Sequence, residues 1–324
     1  MLKYNPVMHV YLLTFLIAFF ATYFATPVVK IFASKIRAVD IPNDRKVHIL
    51  PIPRLGGLAI YVGFLAAVAA ALSLAEATGI MINRQMIWGI LLGGTLLMLV
   101  GMRDDIKNLR PTTKLAWQIA ATLLVIYFGI EINFVTNPFN GLWPIGVLSI
   151  PLTLLWVVGI TNAINLIDGL DGLAAGVTAI SSLALFFVAL RTHQVGAAVL
   201  MLALVGATLG FLRYNFFPAS VFLGDSGSMF LGFILATSSI IGVLKTTLVV
   251  ALVVPVIILG VPIFDTLFAI GRRLKAGKHP FEADDRHIHH MLLRAGFNKR
   301  EAVLAIYIAC FLLSIIAVAM ALQK

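Results

Sequence analysis

Two adjacent carboxylates, Asp104-Asp105, stand in the segment GMRDDIKNLRP at the end of an apolar run. Side by side near a bilayer boundary they repel each other, and a divalent cation or neighbouring bases would relieve that repulsion. Arg103, Lys107 and Lys114 are near in sequence. Arg103, directly before the pair, should favour the ionised form and so lower the basicity of either acid. The plainer reading is a solvated pair that ends a helix, since charged pairs are common in loops.

A second constellation is Asn162-Ala-Ile-Asn165-Leu-Ile-Asp168-Gly-Leu-Asp171-Gly172, in which a polar group recurs every three residues. If the span stays helical, these groups follow one another along a winding stripe. Gly169 and Gly172 would let the chain turn and its backbone approach a ligand. Amides and carboxylates in an apolar run are costly in lipid unless they face a polar cavity. Helix termination by a D-G turn accounts for Asp171-Gly172 but not for the two upstream Asn.

Three further segments carry charge or hydrogen-bonding groups. Phe222-Leu-Gly-Asp225-Ser226-Gly-Ser228 opens an apolar run; Asp225 reads either as a simple N-cap or as a carboxylate suited to a metal-phosphate at a helix N-terminus. HPFEADDRHIHHMLLRAGF holds His279, His287, His289 and His290 beside Arg272, Arg273, Lys275, Lys278 and Arg286. His289 and His290 with Asp284 and Asp285 could ligate a transition metal, but the clustered Arg and Lys favour a diphosphate. A basic surface for anionic lipid heads explains the Arg and Lys, though not the close-set His. The stiff loop from Asp40 to Gly57, with Arg45, Lys46, His48 and Arg54, suits an anion, or simply marks topology. Asp265 in VPIFDT lies inside an apolar run, with Arg272 two turns further along the same face as a candidate partner.

These groups must be positioned by membrane helices. Of 324 residues, 60% are hydrophobic and 12% charged, and mean hydropathy is +1.01. A soluble domain carries roughly 25% charged residues. We expect one membrane-embedded all-α domain over 1–324. A bilayer core needs about 20 apolar residues per helix. Ten runs qualify: 10–33, 55–75, 85–102, 114–131, 148–167, 173–190, 196–212, 226–243, 247–270 and 302–322. The first is too long for a signal peptide and lacks a small-residue cleavage site. The stretch 133–147, with two Pro and two Gly, predicts a short outer turn or hairpin.

The formal charge of +10 could suggest nucleic acid. Most of the 24 basic residues instead fall in alternate loops, near 30–54, 103–114, at 213 and in 272–300. The positive-inside rule makes those loops cytoplasmic. Both termini then lie outside, which an even helix count satisfies. The acids gather on the same side without being bound by that rule, which points to a shared cation or phosphate site. The single Cys310 excludes an internal disulfide and a multi-Cys zinc site.

Taken together and in order, PNDRKVHILPIPRLGG, the DD before NLRPTTKL, NAINLIDGLDGLAAG, FLGDSGSMFLG, VPIFDTL and RHIHH resemble the polyprenyl-phosphate N-acetylhexosamine-1-phosphate transferases over nearly the whole chain. The His-x-His-His form and the PNxRKxH loop resemble the WecA/TagO branch rather than MraY. The resemblance implies that undecaprenyl phosphate attacks the β-phosphorus of UDP-GlcNAc and UMP leaves, giving the lipid-diphosphate sugar that starts cell-envelope glycans such as lipopolysaccharide or teichoic acid. It implies Mg2+, with Mn2+ as a substitute, and Asp225 as the metal ligand. It makes Asp104 and Asp105 the pair beside the lipid phosphate, with deprotonation of that phosphate as a role open to them, and Asn165, Asp168 and Asp171 nucleotide- and metal-side groups. Phe222 would stack on uracil, Asn215 would be a nucleotide-side contact, and Lys46, with His48 in the same loop, would face the phosphates. His287, His289 and His290, beside Arg286, resemble the diphosphate-binding histidine motif. The implied setting is the bacterial cytoplasmic membrane, in contact with membrane lipids, with the site on the cytoplasmic face and a homodimer as one assembly.

Other donors stay open, including UDP-MurNAc-pentapeptide and related UDP-HexNAc sugars. A secondary transporter is the alternative of a different class, but it would place charge at the bilayer midplane and between repeats, and no internal repeat is visible. A lipid-binding scaffold would need the basic loops but not the acids within motifs.

Overall fold

The computed structural model describes residues 6–40, 51–137, 141–243, 253–277 and 287–322. The chain is helical almost throughout. The helices are α1 (Pro6–Lys35), α2 (Gly56–Ala77), α3 (Arg84–Lys107), α4 (Pro111–Tyr127), α5 (Ser149–Ile167), α6 (Leu173–Arg191), α7 (Val195–Asn215), α8 (Gly224–Val243), α9 (Val253–Ile258), α10 (Gly260–Lys275), α11 (Ile288–Arg294) and α12 (Lys299–Leu322). Two short antiparallel pairs interrupt them. β1 (Val39–Asp40) pairs with β2 (Ile52–Pro53), and β3 (Phe134–Asn137) with β4 (Gly141–Pro144). The second pair is a hairpin in the stretch where one was expected.

Among the described residues, eight helices are long and apolar enough to cross a membrane, as a multi-pass all-α chain requires. The two other expected runs depart from a plain span. α4 is 17 residues long, because Pro111 starts it and Gly129, with φ of +87°, follows its end. The expected run 247–270 opens outside the described residues, and its described part breaks at Leu259 between α9 and α10. α10 is amphipathic: it exposes Phe264, Leu267 and Phe268 while burying Asp265 and Arg273.

Burial ranks the helices. The apolar window of α8 is 94% buried, against 28% for α1 and for α12, so α8 is the central post. Hydrocarbon tails are as apolar as leucine, so close packing and hydrogen bonds between helices must hold such a bundle. The Trp156 indole of α5 donates to Ser239 Oγ of α8 at 3.1 Å. Tyr61 of α2 and Thr95 of α3 share a hydrogen bond of 2.8 Å. Asn162 of α5 donates to Gln118 Oε1 of α4 at 2.7 Å. Each such bond contributes about 0.6–2 kcal/mol.

Candidate active site

One end of the bundle gathers the C-terminal end of α3, the turn after α5, the N-terminal end of α8 and the start of α11. A cleft of about 480 Å³ opens there. Asn165, Asp168, Asp171, Asn215, Phe222, Asp225 and His290 line it, and so do Asp40, Arg54 and Lys299.

The stripe beginning at Asn162 does not stay helical. α5 ends at Ile167, so Asp168 and Asp171 lie in the turn before α6. The Asp-Gly steps release the helix, as the turn reading of that segment anticipated. Each polar group then finds a different neighbour. Asn162 joins Gln118, away from the cleft. Asn165 Nδ2 donates to Asp225 Oδ1 at 3.0 Å and to Ser228 Oγ at 2.8 Å. Asp171 Oδ2 accepts from the Ala219 N–H at 3.0 Å. Asn215, 3% exposed, accepts from the Gly172 N–H at 3.1 Å and donates to the Val221 carbonyl at 2.9 Å. Asp171 and Asn215 thus pin the segment 216–223 that carries Phe222. The Phe222 N–H donates to the Pro53 carbonyl, and its own carbonyl accepts from Gly56, which joins this wall to the start of α2.

The paired acids divide their tasks. Asp104 accepts from the Leu109 N–H and from Lys114 Nζ, the latter at 3.0 Å. Lys114 Nζ also donates to Asp225 Oδ2 at 2.6 Å, so it bridges the two acids. Arg103 is exposed; the cation that reaches Asp104 is Lys114. Asp105 accepts from the N–H groups of Asp225 and Ser226 at 2.8 and 3.1 Å. The simple N-cap was one of the two readings of Asp225. That residue lies instead in the first turn, and the capping carboxylate comes from α3. Gly224, with φ of +76°, makes room for it: a Cβ there would lie 2.6 Å from Asp105 Oδ2.

The histidines also separate. His290 lines the cleft. His289, 2% exposed, packs edge-on against the turn, where a Cβ on Gly169 would lie 2.3 Å from its Nε2. Burial, then the charges of His290 and His287, pushes its pKa down to about 4, with Asp265 opposing. His287 Nδ1 lies 2.8 Å from Asp265 Oδ2, so the described partner of Asp265 is a histidine and not the Arg272 anticipated from spacing. Lys46, His48 and Arg286, with His279, Asp284 and Asp285, lie outside the described residues.

Electrostatically the cleft has a surplus of negative charge. Burial and then Asp225 and Asp105 push the Asp168 carboxyl well above its ordinary value; Arg54 opposes this and Asp171 adds to it. Arg54 is itself 3.3 Å from Asp40. Among the described residues no three His, Cys, Asp or Glu close into a metal cage. A magnesium ion does not need one: it usually takes one or two carboxylates and completes its shell with phosphate oxygens and water. Asp225 and Asp168 are hard oxygen donors in a site with uncompensated charge, and they fit such an ion.

In the sequence Lys114 is only a neighbour of the acid pair, Arg54 is one of several bases in a loop suited to an anion, and Lys299 belongs to no motif. The signal for two of them was available. Lys114 and Lys299 sit in the first turns of α4 and α12, where the helix dipole disfavours a cation. A base held against that bias needs a reason.

Comparison with known proteins bears on the family of the chain. The glycosyl transferase family 4 model matches residues 87–243. The chain is 42% identical to a Bacillus subtilis protein named as a probable undecaprenyl-phosphate N-acetylglucosaminyl 1-phosphate transferase, over 94% of this chain and 83% of that protein. It is 39% identical to a Mycobacterium leprae decaprenyl-phosphate N-acetylglucosaminephosphotransferase, over 89% and 78%. It is 30% identical to the Escherichia coli K12 undecaprenyl-phosphate α-N-acetylglucosaminyl 1-phosphate transferase, over 88% and 77%. On the family match and these relatives, the chain belongs to the polyprenyl-phosphate N-acetylhexosamine-1-phosphate transferase family.

Proposed function

We propose that this chain transfers N-acetylglucosamine-1-phosphate from UDP-N-acetylglucosamine to undecaprenyl phosphate, releasing UMP. The observation that carries the reading is the cluster in which Lys114 joins Asp104 to Asp225 beside Asn165 and Asp168. The relatives' names supply the sugar and the lipid class.

The reaction brings two polyanions together, so catalysis is mainly charge neutralisation and positioning. Lys114 carries one positive charge into the cluster, and Arg54 and Lys299 stand on the cleft wall. A magnesium ion held by Asp225 and Asp168 would neutralise charge on the phosphoryl oxygens. Manganese, with a similar oxygen preference, would substitute. Phe222 offers an aromatic face and Asn215 fixes the turn beside it, which suits a uracil base. His290 faces the same space.

The acceptor phosphate monoester has a second pKa near 6. It is therefore largely dianionic at neutral pH and needs little help from a base. Both oxygens of Asp105 accept backbone N–H groups, and Asp104 holds Leu109 and Lys114. In our reading these two acids hold Lys114 and Asp225 in place rather than taking the lipid's proton. The lipid phosphate is then the nucleophile, an oxygen of which bonds to the β-phosphorus as the bond to UMP breaks.

The basic loops orient the cleft toward the cytoplasm, with both termini outside, in a bacterial cytoplasmic membrane. Supporting this over transport, the cleft acids Asp168, Asp171 and Asp225 sit in a turn or at a helix end and not at mid-helix. The test is UMP release by the purified protein in detergent with undecaprenyl phosphate, magnesium and either UDP-GlcNAc or UDP-MurNAc-pentapeptide. Lipid- and magnesium-dependent UMP from UDP-GlcNAc alone is the expected result. A folded protein that releases UMP from neither donor, nor from other UDP-HexNAc sugars, would remove the reading.

A further inference from the structure

Asp265 stands on α10, is 5% exposed, and is not among the residues that line the cleft. Its two oxygens go to two consecutive residues. Oδ2 lies 2.8 Å from His287 Nδ1, and Oδ1 accepts from the Ile288 N–H at 2.8 Å. His287 is 5% exposed. A buried carboxylate is costly, so pairing is needed. Pairing alone does not explain why this acid grips the histidine segment at two points.

The chemistry of the contact does. A carboxylate only accepts hydrogen bonds, so Nδ1 of His287 carries the proton and, in the neutral ring, Nε2 is the acceptor nitrogen. From His287 the geometry runs on to the cleft. The rings of His287 and His289 are parallel within 4° at 5.9 Å. Those of His289 and His290 are 4.2 Å apart. His290 lines the cleft. A change in the plane of the first ring therefore reaches the third through direct contacts.

We propose that Asp265 is a positioning residue of the transferase: it fixes the Nδ1–H tautomer and ring plane of His287, and so sets the histidine row against the cleft that receives the donor diphosphate. The catalytic part of this statement rests on the function proposed above. The tautomer part does not.

Asp265→Asn discriminates. The Ile288 N–H needs an acceptor, so the Asn carbonyl turns to it and the Asn NH2 faces Nδ1. That imposes the opposite tautomer on His287. The full-length protein in detergent, labelled with 15N-histidine, would be compared with D265N, D265E and H287Q by long-range 15N–1H correlation spectra, together with UMP release and Tm. The Nδ1–H signal that H287Q deletes is His287's. It should convert to the Nε2–H pattern in D265N and persist in D265E. Turnover in D265N should fall about 10- to 100-fold, as for other groups that orient a functional ligand, with Tm close to wild type and partial recovery in D265E. The double variant D265N/H287Q should be no slower than H287Q.

An unchanged tautomer in D265N overturns the proposal. So does a loss of turnover that multiplies with that of H287Q and follows a fall in Tm, because Asp265 would then only pin α10 to α11. If the wild type itself releases no UMP, the functional reading fails, while the spectra still decide the positioning claim.

Discussion

Asp105 accepts a hydrogen bond from the backbone N–H of Asp225, 120 residues further along the chain and 2.8 Å away. A second bond from Ser226 completes the grip. One acid of an adjacent pair thus caps the helix that presents another acid to the cleft. Its neighbour Asp104 reaches the same Asp225 through Lys114.

The cap makes a prediction about Asp105. Asp105→Ala leaves two N–H groups at the head of α8 without an acceptor and should cost about 0.5–2 kcal/mol. Asp105→Asn keeps one acceptor and should fall between alanine and wild type in both Tm and turnover. If Asp105 were instead the base, Asn would be as inactive as Ala with an unaltered Tm. Thermal unfolding and UMP release on the same samples separate the two cases.

Lys114 should be as necessary as the acids. Lys114→Gln leaves Asp104 and Asp225 facing each other without a cation. Turnover should drop roughly 10²- to 10³-fold, in the range for removing one group that stabilises developing charge. Lys114→Arg should recover only part of this, since the guanidinium is broader and forked. Activity in Lys114→Gln within twofold of wild type would show that the bridge is not part of the catalytic machinery.

The contact between Gly169 and His289 admits no side chain. In Gly169→Ala a Cβ would fall 2.3 Å from Nε2, and overpacking of this kind costs roughly 1–3 kcal/mol. The turn is continuous with the core, so α11 should yield first. Hydrogen exchange should report faster opening of α11 with little change in α5 or α6, and kcat should fall more than KM rises. Equal protection of α11 in the two proteins would count against the contact.

His289 gives a pH dependence of known sign. Its pKa of about 4 lies below the ordinary 6.5, so the unfolded chain binds this proton more readily than the folded one. The stability linked to it is complete above about pH 6.5 and is lost as pH falls toward 4. The Tm of the purified protein should decline across that window, and His289→Gln should flatten the decline. Parallel Tm curves for the two proteins would remove His289 as the cause.

Chelation offers a further test of the acid cluster. Removing magnesium with EDTA should abolish UMP release, and manganese should restore part of it. Asp225→Asn should raise the magnesium concentration needed for half-maximal rate, with the Tm close to wild type. An unaltered requirement would move the ion to other ligands.

Much of this protein was legible in its sequence. Hydropathy is a property of each residue in turn, so the apolar runs could be found one by one and the all-α, multi-pass class followed. Polar groups in such runs are expensive in lipid, and that expense marked Asn165, Asp168 and Asp265 before any fold was known. Short-range turn chemistry indicated the hairpin near 133–147. Tertiary structure alone decided the partners. Asp105 and Asp225, Lys114 and Asp225, and Asp265 and His287 meet only because separate helices pack at particular angles and depths, and no local pattern encodes those. Position along the stripe made Asn162, Asn165, Asp168 and Asp171 look equivalent; the end of α5 at Ile167 and the burial of α8 gave each a different neighbour. The sequence therefore determined which groups had to leave the lipid, and packing determined which of them touch.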